Sequence, residues 1–162
     1  MKLNRSKNSG ELISHSPEET QNFGVRIGEL CLPGDIFLLV GSLGSGKTCL
    51  TQGIAWGLGI KEYAASPSFV VVRELHGRLV LYHIDLYRLD HIEEIVDLGL
   101  DDYLYGDGVC VVEWAEKGLS VLPEEHMLIQ IDYVSDSERR LQLRPSGNRY
   151  AKILAQLHSS SS

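Results

Sequence analysis

Gly41-Ser-Leu-Gly-Ser-Gly-Lys-Thr48 matches G-x-x-x-x-G-K-[ST] at every fixed position and directly follows the apolar run Asp35-Ile-Phe-Leu-Leu-Val40. Glycines in such a turn let backbone N–H groups close around a phosphate. Lys47 adds a point charge for the β/γ oxygens, and the Thr48 hydroxyl can hold a magnesium ion. A helix opening at Gly46 or Lys47 contributes the positive end of its dipole. The alternative, a glycine-rich connector kept for packing alone, is disfavoured because the apolar strand stands where a phosphate-binding loop requires one.

Outward from this loop, the chain reads as alternating elements. Ser16-Pro-Glu-Glu19 is a capping box with proline at the first helical position, and Phe23, Ile27 and Leu30 follow at helical spacing. This predicts a helix before the first strand, ended by Pro33-Gly34. The helix after the loop is expected from Lys47 to Leu58, stopped by Gly57 and Gly59. Ser66-Pro-Ser68 is a turn-rich connector, and Phe69-Val-Val-Val72 with Leu79-Val-Leu-Tyr82 reads as a hairpin about His76-Gly77.

Asp90 to Glu93 has the pattern of a second capping box, opening a short helix through Ile92, Ile95, Val96 and Leu98. Val109-Cys-Val-Val112 is a buried strand, and His126 to Tyr133 pairs with Arg140 to Arg144 as a closing hairpin. A terminal helix spans Ala151 to Leu157. The fold class is α/β, a mixed central sheet flanked by helices with antiparallel hairpins. Residues 1–157 are expected to form one domain and 158–162 a polar tail.

The 162 residues are 43% hydrophobic, enough for one core, and no apolar stretch approaches membrane-spanning length. The first residues lack the apolar block of a signal peptide, so a cytoplasmic protein is expected. Cys31, Cys49 and Cys110 are odd in number and widely spaced, which points to reduced thiols packed in apolar segments, although Cys49 in the first turn of a helix is placed where a thiol pKa can fall. A net charge of −7 argues against a broad nucleic-acid-binding surface. The cluster Arg139, Arg140, Arg144 and Arg149 fits a solvated edge strand more readily than an RNA site.

Hydrolysis at a phosphate-binding loop needs a further acid, commonly at the end of a neighbouring strand. The run Leu79 to Ile84 ends in Asp85, and Val109 to Val112 ends in Glu113. In open α/β sheets, ligands sit beyond the carboxyl ends of the strands, so both acids are candidates. Trp114 could stack on a base or fill a gap, and His83 is expected as a structural histidine hydrogen-bonded beside Asp85. Arg88 fits an ion pair or a phosphate contact; capping accounts for Ser16, and Thr20 stands close by.

After the loop, Ser66-Pro-Ser-Phe69, His83-Ile-Asp-Leu-Tyr-Arg88 and Glu113-Trp114 occur in an order that resembles the TsaE (YjeE) family, and the likeness extends over almost the whole chain. Members are small bacterial ATPases needed for N6-threonylcarbamoylation of adenosine 37 in tRNA. The resemblance implies ATP and Mg2+ as cofactors. It implies that Leu43, Gly44, Ser45, Gly46, Lys47 and Thr48 bind the phosphates, that Thr48 and Glu113 hold the metal, that Asp85 is the acid needed for hydrolysis, and that Trp114 lies near the nucleotide. Residues 66–69 would be a switch-like loop. The implied partners are the TsaB and TsaD proteins, with tRNA reached through their complex. The chain departs from the family's usual residues at Ser42, where aspartate is common, and at Ser68, where threonine is.

Competing functions are a small-molecule or nucleoside kinase, a GTPase and a nucleotide-binding module with negligible turnover. A kinase must cover its acceptor with an arginine-bearing lid, yet residues 100–108 are acidic and carry tyrosines. Neither N-K-x-D nor D-x-x-G occurs, which ranks the GTPase last.

Overall fold

A computed structural model describes residues 2–6, 8–63 and 71–159. Its core is an eight-stranded mixed sheet in the order β1-β2-β8-β7-β3-β6-β5-β4. The strands are β1 (Asn4–Ser6), β2 (Ser9–Ser14), β3 (Ile36–Val40), β4 (Val72–His76), β5 (Val80–Asp85), β6 (Val109–Glu113), β7 (His126–Tyr133) and β8 (Arg139–Ser146). The centre, β7-β3-β6-β5, is parallel, and the outer pairings are antiparallel. The expected mixed sheet is therefore present, with one unforeseen part: the hairpin β1-β2, which precedes the first helix and pairs with β8.

The helices are α1 (Pro17–Leu30), α2 (Lys47–Gly57), α3 (Ile92–Asp97), α4 (Asp101–Leu104) and α5 (Asn148–Ser159). Strands β3 and β6 are buried on both faces, which is why they read as unbroken apolar runs. Alternation then sorts their side chains. Phe37, Leu39, Val109 and Val111 join the core with α1, α2 and α5, whereas Ile36, Leu38, Cys110 and Val112 face α3 and α4.

Several local expectations are corrected. Ser16 caps α1 by accepting the Glu19 N–H, but the Glu19 carboxylate returns to the N–H of His15 instead of Ser16. Asp90 does not cap α3; His91 occupies the cap without a side-chain hydrogen bond. The first hairpin arm is Val72–His76 rather than 69–72, with residues 66–69 outside those described. Helix α5 continues through His158 and Ser159, which were expected in the tail. The arginine cluster does not lie on an edge strand. Strand β8 sits between β2 and β7, and Arg149 on α5 makes two hydrogen bonds to Asp35, at 3.0 and 2.7 Å.

Gly57 is the last residue of α2, where the sequence predicts the helix to stop. Gly53 and Gly57 on α2 face Gly24 and Gly28 on α1 so closely that a Cβ on Gly53 would lie 2.1 Å from the Gln21 carbonyl oxygen. The turn out of α2 is made by Gly59, with φ of +79°.

All three cysteines are free. Burial pushes the Cys31 and Cys110 thiols up to about 12, and it raises Cys49 as well, so the helix N-terminus does not activate that thiol. At pH 8 a thiol of pKa about 12 is ionised in only about one molecule in ten thousand. Cys31 and Cys110 are expected to resist a thiol-labelling reagent in the folded protein, with Cys49 reacting slowly. All three should label rapidly in denaturant, a difference that mass spectrometry can count.

Candidate functional site

The loop between β3 and α2 is shaped by backbone constraints at both ends. A Cβ on Gly41 would lie 2.3 Å from the Ile131 carbonyl oxygen, and Gly46 enters α2 with φ of +110°. No side chain caps α2, so the first N–H groups of this eleven-residue helix are free of a side-chain cap at the loop. Lys47 is buried and its ammonium is held by the Gly41 carbonyl at 2.6 Å, the Ser42 carbonyl at 2.8 Å and Ser45 Oγ at 3.3 Å. Ser42 thus acts through its backbone, which accepts from both Lys47 and the Ser45 N–H. Neither contact depends on the side chain at the position where the family usually has aspartate.

Both strand-end acids converge on this loop. Strands β5 and β6 pair with Asp85 opposite Glu113, on the face that α2 covers. Glu113 is only 2% exposed; it accepts from Thr48 Oγ1 on one oxygen, and from Thr51 Oγ1 and His83 Nε2 on the other. Asp85 is half-buried and accepts the Tyr87 N–H at 2.9 Å. Trp114 adopts a left-handed backbone, with φ of 58°, and its ring lies 4.0 Å from Lys47 Nζ and 4.9 Å from the Tyr87 ring. Such a backbone is costly for a bulky residue and aims the indole across the loop instead of along the strand.

Nine of the residues singled out in the sequence line one cavity of about 340 Å³: Leu43, Gly44, Ser45, Gly46, Lys47, Thr48, Asp85, Glu113 and Trp114, joined by Cys49 and Tyr87. A larger hollow of about 640 Å³, lined by residues such as Gly34, Tyr105 and Tyr150, contains none of them. His83 is the exception to the expected contacts. It hydrogen-bonds Glu113 on the neighbouring strand, not Asp85. Thr20 is buried against Ser14 Oγ.

Thr51 and Glu116 were not anticipated. Thr51 stands one helical turn beyond Lys47, and that spacing was the available signal. Glu116 follows Glu113 by three residues and accepts the Gly41 N–H at 3.2 Å.

Burial pulls the Lys47 pKa down, while Glu116, Glu113 and Asp85 oppose the shift. Glu116, Glu113 and Asp85 thus stand around one ammonium. Among the described residues no group of three or more His, Cys, Asp or Glu could cage a metal. Magnesium takes one or two protein ligands and fills the rest with phosphate and water. The donor set at Thr48 and Glu113 is of that kind.

A family model described as "Threonylcarbamoyl adenosine biosynthesis protein TsaE" matches residues 14–141. The tRNA threonylcarbamoyladenosine biosynthesis protein TsaE of Treponema pallidum is 42% identical over 129 residues, 80% of this chain and 96% of that protein. The Bacillus subtilis protein of the same name is 43% identical over 143 residues, 88% of this chain and 89% of that protein. The crystal structure of Bacillus subtilis YdiB superposes with a TM-score of 0.83 at 36% identity, covering 98% of this chain and 100% of that one. With both the sequence likeness and the sheet topology extending across nearly the full chain, this protein belongs to the TsaE family.

Proposed function

We propose that this protein is a magnesium-dependent ATPase of tRNA N6-threonylcarbamoyladenosine formation, working in the cytoplasm on TsaB- and TsaD-type partner proteins and meeting tRNA through their complex. The observation that carries the reading is the convergence of the loop, Lys47, Thr48, Asp85, Glu113 and Trp114 on one cavity in a TsaE-family chain. The loop N–H groups and Lys47 would bind the ATP phosphates, and Thr48 with Glu113 would hold magnesium. Bound magnesium supplies charge neutralisation between the phosphate oxygens. Asp85, more open than Glu113, would orient an attacking water, and Trp114 with Tyr87 forms an aromatic wall beside Lys47.

The two acids divide into different roles because their surroundings differ. Asp85→Ala is expected to abolish phosphate release while largely sparing ATP binding, whereas Glu113→Ala also weakens magnesium-dependent affinity. Equal losses of nucleotide affinity in both variants would show the division to be wrong. The assignment as a whole is tested by magnesium-dependent phosphate release with and without the cognate TsaB and TsaD proteins. Stimulation by the complex supports it, and transfer of labelled phosphate to a nucleoside or other small acceptor would establish the kinase alternative instead.

A further inference from the structure

His83 lies wholly inside the sheet-helix layer, with its side chain fully buried, and Glu113 beside it is almost as enclosed. The pairing of β5 with β6 sets His83 opposite Val111 and Asp85 opposite Glu113, so all four side chains leave the sheet on the α2 face. From there the ring reaches diagonally to the next strand, and His83 Nε2 meets Glu113 Oε2 at 2.5 Å. Thr51 Oγ1 stands 3.2 Å from the same oxygen, while Thr48 Oγ1 donates to the other, Oε1, at 3.2 Å. The two carboxylate oxygens therefore have separate company: Oε2 faces inward to His83 and Thr51, and Oε1 faces the loop.

The far side of the ring settles which nitrogen carries hydrogen. His83 Nδ1 is buried with no hydrogen-bond partner among the described residues. A hydrogen on Nδ1 would be a buried donor without an acceptor, whereas a hydrogen on Nε2 has the Glu113 carboxylate in front of it. The ring therefore donates through Nε2.

We propose that His83 is a positioning residue for metal binding: it anchors Glu113 Oε2, so that only Oε1 is presented, together with Thr48, to a magnesium ion. This rests on the magnesium-ATP reading of the site. Buried groups that fix a metal-binding carboxylate typically change metal affinity about 10- to 100-fold when removed. Without His83, the inner oxygen keeps only Thr51, whose hydroxyl also lies 2.9 Å from the Lys47 carbonyl and has one hydrogen to give. The carboxylate is then free to rotate, and its outer oxygen no longer has a fixed direction.

The test uses three variants of the full chain. His83→Gln can place an amide N–H near the position of ring Nε2. His83→Asn is too short to do so, and His83→Phe fills the space with no donor. Binding of Mn2+ in the presence of a non-hydrolysable ATP analogue, followed by electron paramagnetic resonance, is the main readout, with metal-free analogue affinity measured separately. We expect Mn2+ affinity to fall about tenfold or more in His83→Phe and His83→Asn, to recover most of the way in His83→Gln, and metal-free affinity to be unchanged in all three. Wild-type Mn2+ affinity in folded His83→Asn or His83→Phe, or an equal loss in His83→Gln, overturns the positioning role alone. Absence of metal-dependent analogue binding in the wild-type protein overturns the site reading and this inference with it. Should His83→Phe fail to fold, the contrast between the asparagine and glutamine variants decides.

Discussion

Lys47→Ala is expected to lower ATP turnover at least about a hundredfold, the scale on which removal of one preorganised charge-stabilising donor is felt. The ammonium is buried where an unpaired charge is unfavourable, and burial alone pulls its pKa down. It remains useful as a cation because Glu116, Glu113 and Asp85 oppose that shift and because loop carbonyls and the Trp114 ring surround it. Its present acceptors, the Gly41 and Ser42 carbonyls, belong to the phosphate-binding loop itself. Alanine removes the ammonium from among Glu116, Glu113 and Asp85, which disfavours the anionic substrate as well as destabilising the transition state. Lys47→Arg is not expected to rescue, since a planar guanidinium does not reproduce the compact ammonium held by the Gly41 and Ser42 carbonyls. The measurement is steady-state phosphate release with the partner complex present, alongside a melting curve. Turnover within about threefold of wild type in folded Lys47→Ala would remove Lys47, and the cavity with it, from the catalytic assignment.

The site was more legible than its supports, for a physical reason. A phosphate-binding loop needs fixed residue types at fixed spacing within eight residues, and buried parallel strands announce their ends by running from apolar residues into Asp85 and Glu113. What links His83 to Glu113 is strand register across thirty residues of chain, and no local pattern encodes it. Proximity in sequence pointed to Asp85, but residues two apart on a strand stand about 6.6 Å from one another along one face. A side chain on the adjacent strand is the easier partner. The N-terminal hairpin was hidden for a related reason. Asn4-Arg-Ser6 carries no apolar alternation, and β2 is held by β8, whose Gln142 faces Glu11 from 131 residues away. The arginine cluster misled because it runs from the first residue of β8, an internal strand, into the start of α5, where Arg149 is carried inward to Asp35.

Gly53→Ala is expected to be the most damaging single-methyl change in the protein. On helix propensity alone, alanine in place of an interior glycine should stabilise α2 by about 1 kcal/mol. Contact with α1 reverses the sign. The added Cβ would lie 2.1 Å from the Gln21 carbonyl oxygen, 2.8 Å from its carbon and 2.9 Å from the Gly24 Cα, all backbone atoms that no side-chain rotation can move away. The two helices must separate or slide, and overpacking of a tight contact costs about 1–3 kcal/mol or more. We expect a net loss of about 2 kcal/mol, lowering Tm by roughly 4–8 °C for a chain of this size. Gly10→Ala is the control, because its new Cβ would meet the mobile ends of Leu154 and Leu3 at 2.7 and 3.0 Å, and its effect should be smaller. The consequence reaches function, since Gly53 is six residues from Lys47, about 9 Å along the helix axis. Helix α2 carries Lys47 and Thr48 at its first turn, so displacing it from α1 shifts both against Glu113, which is anchored in the sheet. Loss of magnesium-dependent nucleotide affinity should therefore accompany the fall in Tm. A Gly53→Ala protein as stable as wild type would show that the α1-α2 contact yields easily and that it does not set the position of the cradle.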